Sequence, residues 1–162
     1  MRRLLPALLL LLLGAPAALA QARFSVPEEA RMRVVTRALG WTVLRDIEAP
    51  ADAAETAMIL IRAQRPVPAA ARRGHLARLL SGLRPFHFAT LPGEGQLNLA
   101  GLPGTVIEAP AIGAPSGVPV RVRAICLYAR DRSWLLVASA PATQWAAMEP
   151  ELSRVIAGFR PG

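Results

Sequence analysis

Hydrophobic residues recur at every second position from Val118 to Tyr128, and a second extended run follows from Trp134 to Ala140. Only a tight turn at Asp131-Arg132 separates the two runs. Extended segments joined this closely must pair antiparallel, because a parallel return needs a crossover of about a dozen residues or more. Val118, Val120, Val122, Ala124, Cys126 and Tyr128 share one face of the first run, with Arg121, Arg123, Ile125 and Leu127 on the other. Both faces carry apolar side chains, so this hairpin belongs inside a sheet covered on both sides.

The rest of the chain supplies the covers and the neighbouring strands. Alternation predicts strands over Trp41–Arg45, Thr56–Gln64, Gln96–Leu99 and Thr105–Ala109, with a further extended stretch at Phe86–Phe88. Leu76, Leu79, Leu80 and Leu83 give the i, i+3, i+4, i+7 stripe of a helix over Pro68–Leu83. Trp145, Met148, Leu152, Val155, Ile156 and Phe159 give a second stripe, with Thr143 as its cap, Gly158 as its stop and Pro150 predicted to kink or restart it. A third helix is expected over Pro27–Leu39, opened by the capping box Ser25 to Glu28 and closed by Gly40; the competing reading places a short strand at Phe24–Val26. Asp46–Glu55 and Pro110–Pro119 read as loops, the second long enough to serve as a contact element, and Gly101–Gly104 as a bend or bulge. Strands and helices do not alternate, which excludes a doubly wound parallel fold. The expected class is α+β: one antiparallel sheet of about six strands flanked by helices.

At its start the chain has the pattern of an export signal. Arg2 and Arg3 precede an apolar run from Leu4 to Leu13, and Ala18-Leu19-Ala20 offers small residues for cleavage. Cutting after Ala20 leaves Gln21–Gly162, the length of one domain, and places the mature protein in the periplasm or outside the cell. No later segment approaches the roughly 20 apolar residues of a membrane helix, and no cysteine at Gln21 or Ala22 offers a lipid anchor. An uncleaved signal kept as an anchor is the alternative. With Cys126 the sole cysteine, no internal disulfide can form, so the core stands on hydrophobic burial.

The net charge is +8, carried entirely by arginine with no lysine. The arginines are scattered and no nucleic-acid module accompanies them, so nucleic acid is excluded as a partner. The densest group lies around the hairpin: Arg121, Arg123, Arg130 and Arg132 form the candidate anion or partner contact. The competing role is a charged rim protecting a sheet edge.

Reactive constellations are sparse. His75 and His87 have none of the close ligand spacings of a metal site, and no cofactor fingerprint is present. No G-x-S-x-G elbow occurs. His75 is expected to be solvated on its helix, and His87 to point away from Phe86 and Phe88. An enzymatic alternative needs a pocket that gathers His75, His87 or Cys126 beside a carboxylate, yet Cys126 in mid-strand reads as a small buried hydrophobe.

The run Gly101–Ala109 (GLPGTVIEA), the Val118–Arg130 and Ser133–Ala140 hairpin, Trp145 and the closing Val155–Arg160 (VIAGFR) together resemble the PsbP-like superfamily. That group includes the extrinsic subunit of photosystem II, a Ran-binding import factor and small bacterial envelope proteins of the DcrB type. The resemblance spans Trp41–Arg160 and implies an antiparallel sheet between helices in a protein that binds or assists rather than catalyses. The stretch before Trp41 departs from the family pattern, and no metal-binding or partner-binding position carries over. The expectation is an exported accessory protein of the bacterial envelope whose partner is an envelope protein or an anionic envelope component. The alternatives are a small envelope enzyme and a peripheral protein that touches anionic lipid through arginines. Ligand, process and oligomeric state are not encoded in any motif.

Overall fold

Residues 30–161 are described by the computed structural model. The proposed signal peptide, the capping box at Ser25 and the alternative strand at Phe24–Val26 lie outside them. Eight strands and two α-helices follow in order: β1 (Met32–Ala38), β2 (Trp41–Asp46), β3 (Met58–Gln64), α1 (His75–Ser81), β4 (Phe86–His87), β5 (Gly95–Leu99), β6 (Leu102–Gly113), β7 (Pro119–Tyr128), β8 (Ser133–Pro141) and α2 (Trp145–Ala157). A short 3-10 turn at Ala69–Ala71 precedes α1.

All pairings are antiparallel, in the order β1-β2-β3-β8-β7-β6-β4, with β5 also paired to β6. The hairpin expected from period-two alternation is β7–β8, in register from Val120 opposite Pro141 to Tyr128 opposite Ser133. The two side-chain sets of β7 separate as expected. Ile125 and Leu127 join Met148, Leu152, Val155, Ile156 and Phe159 in a core beneath α2. Val120, Val122, Ala124, Cys126 and Tyr128 join Leu76 and Leu80 beneath α1. Helix, sheet and helix therefore form the α+β sandwich expected, with more strands than six.

The extra strands come from segments in which local signals compete. The helix expected over Pro27–Leu39 is corrected where the structure describes it: Met32–Ala38 is β1. Leu39 and Gly40 have φ of 51° and 79° and join Ala38 to Trp41 across a two-residue turn. Two successive positive φ values are the signature of a type I′ hairpin turn, so Gly40 reverses a hairpin instead of stopping a helix. A register shift between Val34 and Thr36 breaks the alternation of β1, which hides its period of two.

The bend expected over Gly101–Gly104 is found at its start, where Ala100 and Gly101, with φ of 53° and 77°, turn β5 into β6, but its extension to Gly104 and the loop at Pro110–Pro119 are corrected. β6 runs unbroken from Leu102 to Gly113, and the reversal is confined to the residues before Pro119. Its outer side pairs with β5 only up to Val106 and with β4 only from Ile112. Pro110 lies in the unpaired notch between them, where a missing N–H costs no ladder bond. Gly104 is required by close approach: a Cβ there would stand 2.7 Å from the Cys126 carbonyl oxygen of β7.

Both helices differ from expectation in detail. The single helix over Pro68–Leu83 is interrupted at Gly74, whose φ of 68° suits glycine, and this leaves α1 with seven residues. α2 continues through Pro150 without a restart, and its cap is Gln144, with no side-chain capping bond from Thr143. Pro150 and Ala146, whose carbonyl loses its usual donor, are both exposed, so water can take that bond.

Candidate binding face

Thirteen-residue α2 packs chiefly over β8 and β1, whereas seven-residue α1 packs over β6 and β7. The α1 face of β1, β2 and β3 is consequently left without a helix above it. There the alternation of β2 and β3 puts Trp41 opposite Arg62 and Val43 opposite Leu60. With Leu79 of α1 and the Leu83–Pro85 turn that follows it, these residues enclose a groove of about 690 Å3. Its polar lining is Gln64 and three arginines, Arg62, Arg78 and Arg84, with no carboxylate. The Arg62 guanidinium sits 5.4 Å from the Trp41 ring centroid, a cation–π contact that holds the charge over the apolar floor. Arg78 donates to the backbone carbonyls of Ala71 and Arg73, which orient its charge without cancelling it. The Gln64 Oε1 atom is buried with no hydrogen-bond partner. Leu39, 94% exposed, forms the lip.

A second hollow, about 820 Å3, opens at the other end of α1 beside Arg72, Arg73, Glu94, Thr105 and Tyr128. Its chemistry is largely satisfied from within. The Glu94 carboxylate accepts from the Gly74 and Ala77 backbone N–H groups, both at 3.1 Å, and so caps α1 from a distant loop. Arg72 lies 4.7 Å from the Tyr128 ring centroid and donates to the Val67 carbonyl. The Tyr128 hydroxyl is 3.0 Å from Thr105 Oγ1.

His75 is not solvated as expected. Its ring packs 6.3 Å from that of Tyr128, and its Nε2 is buried without a partner. Burial, with the Arg78 charge second, lowers its pKa against the opposing pull of Glu94. Cys126 is fully buried as expected, and burial pushes its thiol up to about 11. Burial likewise raises Tyr128 to about 12. A thiol protonated at neutral pH is a poor nucleophile. His87 lies exposed on β4, away from buried Phe86 as expected, and β6 separates its strand from that of Cys126. His87 therefore stands apart from Cys126, and Glu94, whose charge acts on both His75 and Cys126, is committed to the cap of α1. Among the described residues no cluster of three or more histidine, cysteine or acidic side chains could hold a metal.

The hairpin arginines fall into two groups. Arg121 and Arg123 are brought together on the α2 face by Glu108, with N–O distances of 2.7 and 2.8 Å. Arg123 also reaches Glu149 at 2.6 Å and Ser153 at 2.7 Å, and stacks 5.6 Å from the Trp145 ring centroid. Burial acts to raise the Glu108 pKa, but hydrogen bonds from Arg121 and Arg123 outweigh it and leave the carboxyl below its usual range. The Ser153 hydroxyl and Arg123 lower Glu149 likewise. Arg130 and Arg132 stand at the opposite end of the hairpin, beside its turn; Arg130 is exposed and Arg132 pairs with Asp131 at 2.8 Å.

Sequence reasoning missed the groove. Its floor residues lie on predicted strands, but it opens beside the C-terminal end of α1, where the helix stops at Ser81 and the chain turns away through Leu83–Pro85.

No family model and no curated protein matches this chain. Solved structures do. The chain is similar to LpqN, involved in cell envelope biogenesis of Mycobacterium tuberculosis, with a TM-score of 0.60 and 14% identity over 83% of this chain and 78% of that one. It is similar to PA94, a Pseudomonas aeruginosa protein of unknown function, with a TM-score of 0.56 and 13% identity over 88% of this chain and 98% of that one. Cyanobacterial PsbP from Synechocystis sp. PCC 6803 aligns with a TM-score of 0.47 and 12% identity over 93% of this chain and 99% of that one. Likeness at such identities is one of fold. The architecture is the sheet between helices that the PsbP-like resemblance implies.

Proposed function

We propose that this is an exported, non-enzymatic accessory protein of the bacterial envelope that binds its partner on the α1 face, through the groove over β1, β2 and β3. One observation carries the reading: an apolar floor is left open beside a short helix and is ringed by arginines with no carboxylate among them. A site built for bond-breaking would call for an accessible nucleophile or a convergent acid–base pair. Here the candidate thiol is buried and protonated, and His87 lies exposed on a strand that β6 separates from it. The N-terminal pattern supports export with cleavage after Ala20, and intact-mass measurement of the exported protein should give Gln21 as its first residue. No helix among the described residues is long and apolar enough to cross a membrane.

The hairpin turn offers a second contact. Arg130 is exposed there beside Arg132, whereas Arg121 and Arg123 already hold carboxylates. In-cell photo-crosslinking tests both surfaces. A crosslinker at Ala38 or Arg84, at the groove, should capture an envelope component, and one at exposed Ala157 on α2 should not. Equal capture from all three positions, or none from the groove, overturns the groove reading. Capture from Arg130 that is lost in an Arg132→Gln background would support the turn as an anionic-partner contact.

A further inference from the structure

We propose that the groove takes a single-chain amphiphile with an acidic head group, its chain on Trp41, Val43 and Leu60 and its head among Arg62, Arg84 and the Gln64 amide. This rests on the binding-face reading above and names its ligand. A volume of about 690 Å3 is that of a small-molecule site rather than the footprint of a folded partner, whose stable interface spans roughly 20–30 residues a side. The groove holds two chemistries that one ligand must match. Its floor and walls are apolar, so water there is displaced with gain by a hydrocarbon chain. Its rim carries Arg62 and Arg84 with no carboxylate among the lining residues, while the Arg78 head is held by the Ala71 and Arg73 carbonyls. An uncharged chain would leave those cations unanswered, and a free anion would leave the floor wet. The Gln64 amide also lines the groove, and its N–H group adds a donor for an acidic head.

A peptide added as a strand is the competing occupant, and the nearby edge resists it. β1 has a register shift at its centre, and Arg37 follows it. Bulges and edge charges are devices that discourage strand addition.

Dodecanoate, dodecyl phosphate and uncharged dodecyl maltoside, each below its micellar concentration, are titrated against the intact protein, with Trp41 indole N–H chemical shift as the readout. Both acids should saturate at one per chain, with the maltoside at least about tenfold weaker. Replacing Arg62 and Arg84 by glutamine, two changes at exposed positions that leave the thermal melt in place, should weaken both acids by about tenfold or more, the loss expected from one charge-assisted hydrogen bond. Equal binding of acid and maltoside, or binding untouched by the double variant, overturns the proposal. So does binding to phosphatidylglycerol vesicles without binding of the monomeric acids. If no amphiphile binds while crosslinkers at Ala38 and Arg84 capture a protein or a second copy of this chain, the amphiphile falls and the binding face stands. If neither occurs, both fall.

Discussion

The two faces of the sheet are built from the same alternating strands yet are finished differently. On one, α2 closes over a core that includes Met32, Leu44, Ile59, Leu136 and Phe159, all fully buried, and Arg123 bolts the helix to β6 and β7 through Glu108 and Glu149. On the other, α1 covers only part of the area and leaves Trp41, Val43, Leu79 and Leu83 partly buried. A strand pattern thus supplies apolar surface on both sides, but the length of the covering helix decides whether that surface becomes core or site.

The sharpest way to break this contrast is a pair of truncations. Leu152→Ala on α2 should cost about 3 kcal/mol of unfolding free energy in chemical denaturation, because it opens a cavity in a closed core. Leu79→Ala at the groove wall should cost about 1 kcal/mol, since water already reaches its site. Equal losses would mean that the α1 face is as closed as the α2 face. Next in size is Arg123→Gln, expected to cost about 2 kcal/mol because it removes the charged bonds that tie Glu149 of α2 to Glu108 of the sheet, leaving Glu108 with Arg121 alone and Glu149 with Ser153. Its proton-linked signature should appear in the same experiment. Glu108 and Glu149 are held below the usual carboxylate range, so their contribution is fully present above that range and is lost as pH falls through their folded values. Arg123→Gln should flatten that acid limb.

On the α1 face the corresponding fastening is lighter. Glu94→Gln should cost about 1 kcal/mol through the weakened cap on Gly74 and Ala77, with faster hydrogen exchange confined to α1. His75 should add a pH dependence in a different window. Its folded pKa is lowered, so its contribution is complete above the ordinary histidine value of 6.5 and is lost as pH falls below it. His75→Gln should remove the part of the stability loss between neutral pH and the carboxylate range and leave the acid limb intact. Smallest of all, Leu39→Asn should raise stability by about 0.5 kcal/mol, since asparagine suits the first position of a type I′ turn better than leucine. It should also weaken amphiphile binding by removing the apolar lip.

How far the chain was legible follows from where its signals agree. In β2, β3, β7 and β8, β propensity, alternation and burial agree, and all four strands are found within a few residues of expectation. In β1, the bulge accommodates the adjacent pair Val34-Val35, and that pair imitates a helical stripe. In β6, Pro103, Pro110 and the glycines signal a loop, yet Pro103 lies beyond the end of the β7 ladder, Pro110 where the outer neighbour is missing, and Gly104 where a side chain would not fit. The arginines could be counted but not grouped, because grouping depends on strand ends: Arg121 and Arg130 belong to one hairpin and stand at its two extremities. The groove was illegible for a different reason. It is an absence of cover, which no local residue signal encodes.

The notch in β6 has one further effect. A sheet with unpaired backbone along its rim is a template on which a stray chain can polymerise. At Pro110 a rung of that template has no donor to offer, so an invading segment meets a gap midway between β5 and β4. Replacing Pro110 by valine would restore the rung, and the molecule would then carry a five-residue landing strip from Ile107 to Ala111 for self-association.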